Sequence, residues 1–136
     1  MKKTMIRILI PISILCIIYI SQCVYLSFKL DKVVQASYNS YGEVNNYSDI
    51  VSDEIFDRLN YRRYENEYIV PSIEKNIKTF PITLWFKNRA YSKYKYTYKR
   101  VDYEGHSLCG SYEVPVTITW EWKNFKWIIT GKYELP

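Results

Sequence analysis

Histidine, cysteine and glycine are scarce in this chain, and each scarcity excludes a class of chemistry. The 136 residues include one His, three Cys and four Gly. The single histidine, His106, lies in a Gly-bounded loop three residues before Cys109. Cys–His catalysis needs the imidazole within hydrogen-bond reach of the sulfur, and usually a third group to orient it; neighbourhood in a loop supplies neither. A zinc site needs three or four ligands at fitting spacing, and His106 and Cys109 have no companions, so no metal is expected. No Gly-rich phosphate loop and no Ser-nucleophile elbow occurs, and no cofactor is expected. Cys16 and Cys23 stand seven apart in an apolar run, on one helix face, which leaves Cys109 alone in the polar part of the chain and no internal disulfide to support it. Ala is scarce too, whereas Tyr occurs 15 times and Ile and Lys abound. That skew is what an AT-rich genome produces, so only Tyr at patterned positions carries weight.

The long apolar run is at the N-terminus. Lys2, Lys3 and Arg7 precede an uncharged stretch from Ile8 to Phe28, 21 residues that span about 30 Å as a helix, enough to cross a bilayer. Pro11 falls in its first turns, where a helix tolerates it better. A cleaved signal has a shorter core and a small-x-small site; Gln22, just before Cys23, also stands where a lipoprotein box needs a small residue. Residues 1–30 therefore read as a retained transmembrane anchor. The basic residues ahead of the run outnumber those just after it, which predicts an N-terminus in the cytoplasm and residues 31–136 outside, on a plasma membrane.

The anchor also explains the net charge. Of the formal +5, Lys2, Lys3, Arg7 and Lys29 supply four, so the high pI does not argue for nucleic acid. Within the remainder the charges are segregated. Residues 31–67 carry four basic and eight acidic side chains, whereas residues 75–100 carry eight basic ones and no acid. The bland reading is a solvated sheet face; the functional one is a docking face for an anionic partner.

Two patterns divide the outer segment. Leu30, Val33, Val34, Ser37, Tyr38 and Tyr41 have helical spacing, with Gly42 placed to end the helix. Ser48 or Ser52 caps a second helix with Asp53 and Glu54 in its first turn and Ile55, Phe56 and Leu59 as its stripe. Residues 61–79 show no clean period, and "PSIEKNIK" reads as a short helix starting at Pro71. From Thr79 the period becomes two. One face gathers Phe80, Ile82, Leu84 and Phe86, then Tyr94, Tyr96 and Tyr98, then Val114 to Trp122, then Trp127 and Ile129. Such alternation marks antiparallel strands with one buried and one wet face. "KNF" makes a tight turn, "DYEGHSLCGS" a longer loop, and Pro115 belongs at an edge. The expected fold is α+β: a transmembrane helix, then two or three helices on a curved antiparallel sheet of about four strands.

Helices first, then long strands closing in "VTITWEWKNFKWIITGKYEL", resembles the nuclear-transport-factor-2-like (cystatin-like α+β) superfamily over about residues 31–136. Enzymes of that superfamily hold an Asp, His or Tyr in the cone between sheet and helices. Here the inward positions read Tyr94, Tyr96, Tyr98, Trp120, Trp122 and Trp127, with no inward carboxylate or His, and an acid–base mechanism lacks its partner. Members with one N-terminal helix include scaffold components of conjugation and type IV secretion machines, so the resemblance implies an assembly role. Two readings follow. In the first, the outward row of Lys93, Lys95 and Lys99 with Arg89 docks an acidic protein surface, including that of a second copy. In the second, Tyr96, Tyr98, Trp120 and Trp122 line a small-ligand pocket. "AYSKYKYTYKR" interleaves Tyr and Lys, but a strand sends them to opposite faces, which argues against nucleic acid.

Overall fold

The apolar run and the helix expected to follow it are one element. In the computed structural model, which describes residues 2–62 and 72–135 with side chains from residue 7 onward, α1 runs unbroken over Lys2–Asn39 with Pro11 inside it. The expected boundary at residue 30 falls mid-helix. Leu26, Leu30, Val33, Val34, Ser37 and Tyr38 recur at three and four residues and are buried, so the domain core begins before the apolar run ends. The helix stops where Tyr41 and Gly42 turn left-handed, φ 57° and 79°, and the Gly42 N–H donates to the Ser37 carbonyl at 2.8 Å. Gly42 is doubly required there: a Cβ would lie 2.9 Å from Asp57 Cα. Among the described residues one further helix follows, α2 (Asp53–Leu59), capped by Ser52, whose side chain accepts from the Ile55 N–H. Phe56 and Leu59 face the core, and Ser37 Oγ donates to the Phe56 carbonyl at 2.5 Å, tying α2 to α1.

The sheet has five strands: β1 (Ile73–Lys78), β2 (Ile82–Phe86), β3 (Arg89–Val101), β4 (Ser107–Lys123) and β5 (Lys126–Glu134). All pairings are antiparallel, in the order β1-β3-β4-β5, with β2 also on β3. Thus β1 and β2 lie end to end along one edge of β3, Lys78 opposite Tyr96 and Ile82 opposite Lys93. Thr79 bridges the break: its N–H donates to the Lys95 carbonyl and its hydroxyl accepts the Lys95 N–H. Pro115 sits where β4 is an edge, since β5 pairs only from Val116 onward. The α+β class stands, with five strands for the expected four. The helix expected after Pro71 is instead strand β1; Pro71 itself lies outside the described residues.

The second correction concerns phase. β3, β4 and β5 turn Tyr94, Tyr96, Tyr98, Val116, Ile118, Trp120, Trp127 and Ile129 onto the helices, as alternation predicts. β2 does the opposite. Ile82, Leu84 and Phe86 are exposed and Thr83 is buried. Thr83 is buried because hydroxyls meet there: Ser27 Oγ donates to Thr83 Oγ1 (3.0 Å), which lies 2.6 Å from Ser92 Oγ, and Ser92 accepts from Trp120 Nε1 (2.8 Å). This chain joins α1, β2, β3 and β4 through the core and satisfies the buried indole. β1 is inverted likewise. Asn76 Nδ2 donates to Tyr38 Oη, Lys78 pairs with Asp31, and Glu74 binds Arg62, while Ile73 and Ile77 face out.

Candidate functional site

The inversion of β1 and β2 builds the outer face of the sheet. Ile73, Ile77, Ile82, Leu84 and Phe86 form an exposed apolar stripe along the β1–β2 edge. Beside it, β3 presents Arg89, Tyr91, Lys93, Lys95 and Lys99, all exposed on one face of one strand, as the row was expected to be. Across this face, from β2 over β3 and β4 to β5, runs an open concavity of about 740 Å³, lined by Ile82, Leu84, Tyr91, Lys93, Thr117, Thr119 and Tyr133. Gly131 keeps its floor flat: it pairs with Thr119, and a Cβ there would stand 2.7 Å from the Thr119 hydroxyl.

Charge on this face is not self-compensated. Arg89 lies opposite Glu121, whose carboxyl a hydrogen bond from Lys123 holds below the usual carboxylate range. Lys93, Lys95 and Lys99 make no ion pair with a described residue. Lys75 and Lys99 sit directly opposite each other across β1 and β3, a like-charge pair that costs stability unless something anionic covers it. The helical layer on the other side has the reverse sign: Glu43, Asp49, Asp53, Glu54 and Asp57 are exposed there, beside exposed Tyr41 and Val44.

The aromatic residues considered for a ligand pocket are placed differently. Tyr96, Tyr98 and Trp120 are in the core, at most 2% exposed, beneath α1 and α2. Tyr38, Tyr61 and Tyr96 stack at centroid distances of 4.6 Å, filling the cone with rings, and Tyr96 Oη donates to Glu134 at 2.5 Å. Trp122 is apart from these three, at the end of the sheet against Trp127. The Tyr94 hydroxyl is buried without a hydrogen-bond partner among the described residues, and burial, with Glu134 second, pushes its phenol far up, so it stays neutral. The polar clefts beside the cone are lined by groups already engaged with one another, such as Lys78 with Asp31 and Arg58 Nη2 with the Lys132 carbonyl. His106 Nδ1 lies 3.1 Å from Asp102 in an exposed loop, while Cys109 packs against the core.

What sequence reading missed is the apolar stripe. Its signal is present, because the polar residues Thr83, Asn76 and Lys78 alternate with it, but Ile82, Leu84 and Phe86 read as a buried strand face and Ile73 and Ile77 as part of a short helix. No family model matches the chain, and neither does a curated protein or a solved structure.

Proposed function

We propose that this chain is a non-enzymatic, membrane-anchored domain that assembles with copies of itself, the sheet face of one copy docking on the helical face of the next. The observation that carries the reading is the separation of charge onto opposite faces, lysines over the sheet and carboxylates over α2 and the loop before it. Each face also exposes apolar side chains to bury, Ile82, Leu84 and Tyr91 on one and Tyr41 and Val44 on the other. Such a contact is heterologous, so it builds rings or open rows rather than a closed twofold dimer. The charges set orientation and encounter rate, and the apolar stripe supplies the buried area. α1 is long and apolar enough to cross a membrane, and as an anchor with its basic end in the cytoplasm it leaves the domain outside, free to meet neighbours in the membrane plane. The superfamily resemblance, with its anchored scaffold members, points the same way.

The test is lysine-reactive or photo-cross-linking of the full-length protein in membranes, with native mass spectrometry after gentle release. Lys95→Glu with Lys99→Glu weakens association about tenfold, or ~1.4 kcal/mol. Adding Asp53→Lys and Glu54→Lys to the same chain restores it. An oligomer indifferent to both sets removes the proposal; a different protein cross-linked to the sheet face in place of a second copy also removes it.

A further inference from the structure

The part of α1 that stands wholly clear of the domain is shorter than a bilayer is thick, which brings the end of the sheet beside it to the membrane. This inference rests on reading α1 as the anchor. The domain grips the helix from Tyr19 onward: the Tyr19 ring stacks on Trp85 at 5.3 Å, and Trp85 Nε1 donates to the Tyr19 carbonyl. From Ile8 to Ile18 the helix stands clear of the domain, 11 residues or about 16 Å against a hydrocarbon layer of about 30 Å; beyond it one side packs on the sheet while Ile20, Val24 and Tyr25 stay exposed. The remainder of the apolar run lies alongside the lower end of the sheet, so that end comes to the bilayer surface.

The β2–β3 and β4–β5 turns meet at that end, joined by the Trp122 N–H donating to the Asn88 carbonyl at 2.8 Å. Both turns are cationic and aromatic. Phe86 is 75% exposed and Phe125 94%. Trp122 is partly exposed between them, and Lys87, Lys123 and Lys126 surround the rings. The Lys87 ammonium lies over the Phe86 ring at 5.4 Å, and the only acid nearby among the described residues, Glu121, is already bound by Lys123 at 2.5 Å. Phe125 holds φ 60°, a left-handed position in a two-residue turn that favours glycine, so a bulky ring is kept in solvent against its own conformational preference. Amphipathic rings with flanking lysines are what the membrane–water interface accepts, and the lysines select anionic headgroups.

We propose that this tip seats in the headgroup layer of an anionic lipid bilayer, with Phe86 and Phe125 entering the acyl boundary and Lys87 and Lys126 on lipid phosphates. The domain then stands fixed on the membrane rather than swinging from a tether, with its sheet face held upright.

The experiment uses the full-length protein reconstituted in phosphatidylcholine vesicles, with and without phosphatidylglycerol, carrying bromines on the acyl chains near the headgroup. Phe125→Trp adds a reporter at the tip, and Tyr103→Trp adds one in the loop at the other end of β3. The unsubstituted chain, whose Trp85 and Trp122 already lie at this end, sets the baseline; above it the tip reporter adds roughly twofold more quenching than the loop reporter in the anionic vesicles, and Lys87→Glu with Lys126→Glu removes the difference. Both reporter positions are exposed, so folding is not at issue. A chain that washes off the vesicles overturns the anchor and the docking together. A chain that stays with them, but whose two reporters are quenched alike, overturns the docking alone. Quenching of the tip that ignores both phosphatidylglycerol and the lysine reversals overturns the anionic-lipid assignment.

Discussion

The β4–β5 hairpin and the β1–β2 edge belong to the same sheet and follow opposite rules. Both alternate apolar and polar residues. In the hairpin the apolar set, Val116, Ile118, Trp120, Trp127 and Ile129, goes inward; along the edge the apolar set, Ile73, Ile77, Ile82, Leu84 and Phe86, goes outward. Alternation therefore fixes a strand's period but not its phase, because shifting a strand by one residue exchanges its faces. Phase is set by what waits across the layer. Over the hairpin wait Phe56 and Leu59 of α2, an apolar helical surface, while Ile50 and Val51 bridge to Ile129 at its edge. Over the edge wait Ser27, Asp31 and Tyr38 of α1, which bond Thr83, Lys78 and Asn76. A buried threonine with hydroxyl partners on two sides is as well accommodated as a leucine without them, and the aliphatics are left for another surface.

The comparison breaks most visibly in the core half. Trp120→Ala removes the largest fully buried side chain and leaves Ser92 without its indole donor. The expected loss is ~3–5 kcal/mol, which for a domain of this size is a large part of the total stability. Circular dichroism melting of the detergent-solubilised protein measures it. A loss under ~1 kcal/mol would mean that the hairpin's inward rings are not what holds the domain together.

The same contrast shows which parts of the fold the sequence makes legible. The Ser52 cap, the left-handed stop at Gly42, the "KNF" turn and the outward lysines on β3 depend on neighbours close in the chain, and each can be read locally. Strand β1 cannot. In "IEKNIK" the inward residues are Glu74, Asn76 and Lys78, whose partners Arg62, Tyr38 and Asp31 lie 12, 38 and 47 residues away. Nor does a count of tyrosines tell core from pocket, since Tyr61 and Tyr38 complete the stack on Tyr96 from elements whose placement only the tertiary structure gives. The candidate face was half legible for the same reason. Its lysines show in the alternation of β3, whereas its apolar stripe requires knowing that α1 lays hydroxyls and a carboxylate over the edge.

One position in the hairpin departs from the rules its strands obey. Asn124 and Phe125 both take positive φ, 51° and 60°, where Asn-Gly is the ordinary choice. Phe125→Gly relieves that strain at some cost in unfolded-chain entropy, and a net gain of ~0.5–1 kcal/mol is expected. The melting temperature in detergent should rise. A fall would mean that the exposed ring contributes to folding itself, which would remove the contrast between a well-specified hairpin and a turn kept for another purpose.

The smallest effect on stability, and the sharpest separation of the two regions, belongs to the edge. Ile82→Thr with Leu84→Thr alters side chains that are 71% and 62% exposed, and threonine suits a strand as well as the residues it replaces. Stability should move by no more than ~0.5 kcal/mol, while cross-linking between copies falls, because the variants polarise the stripe without disturbing the Ser27–Thr83–Ser92 bonds beneath it. If the melting temperature instead drops as far as it does for a core substitution, these side chains are covered by the chain's own residues, and the edge would obey the hairpin's rule after all. If stability holds and cross-linking holds with it, the stripe is an idle surface and the lysines alone must account for any contact. Only stability kept with association lost assigns the inverted phase of β2 to a partner, and that outcome would explain why an edge strand keeps three large apolar side chains in water.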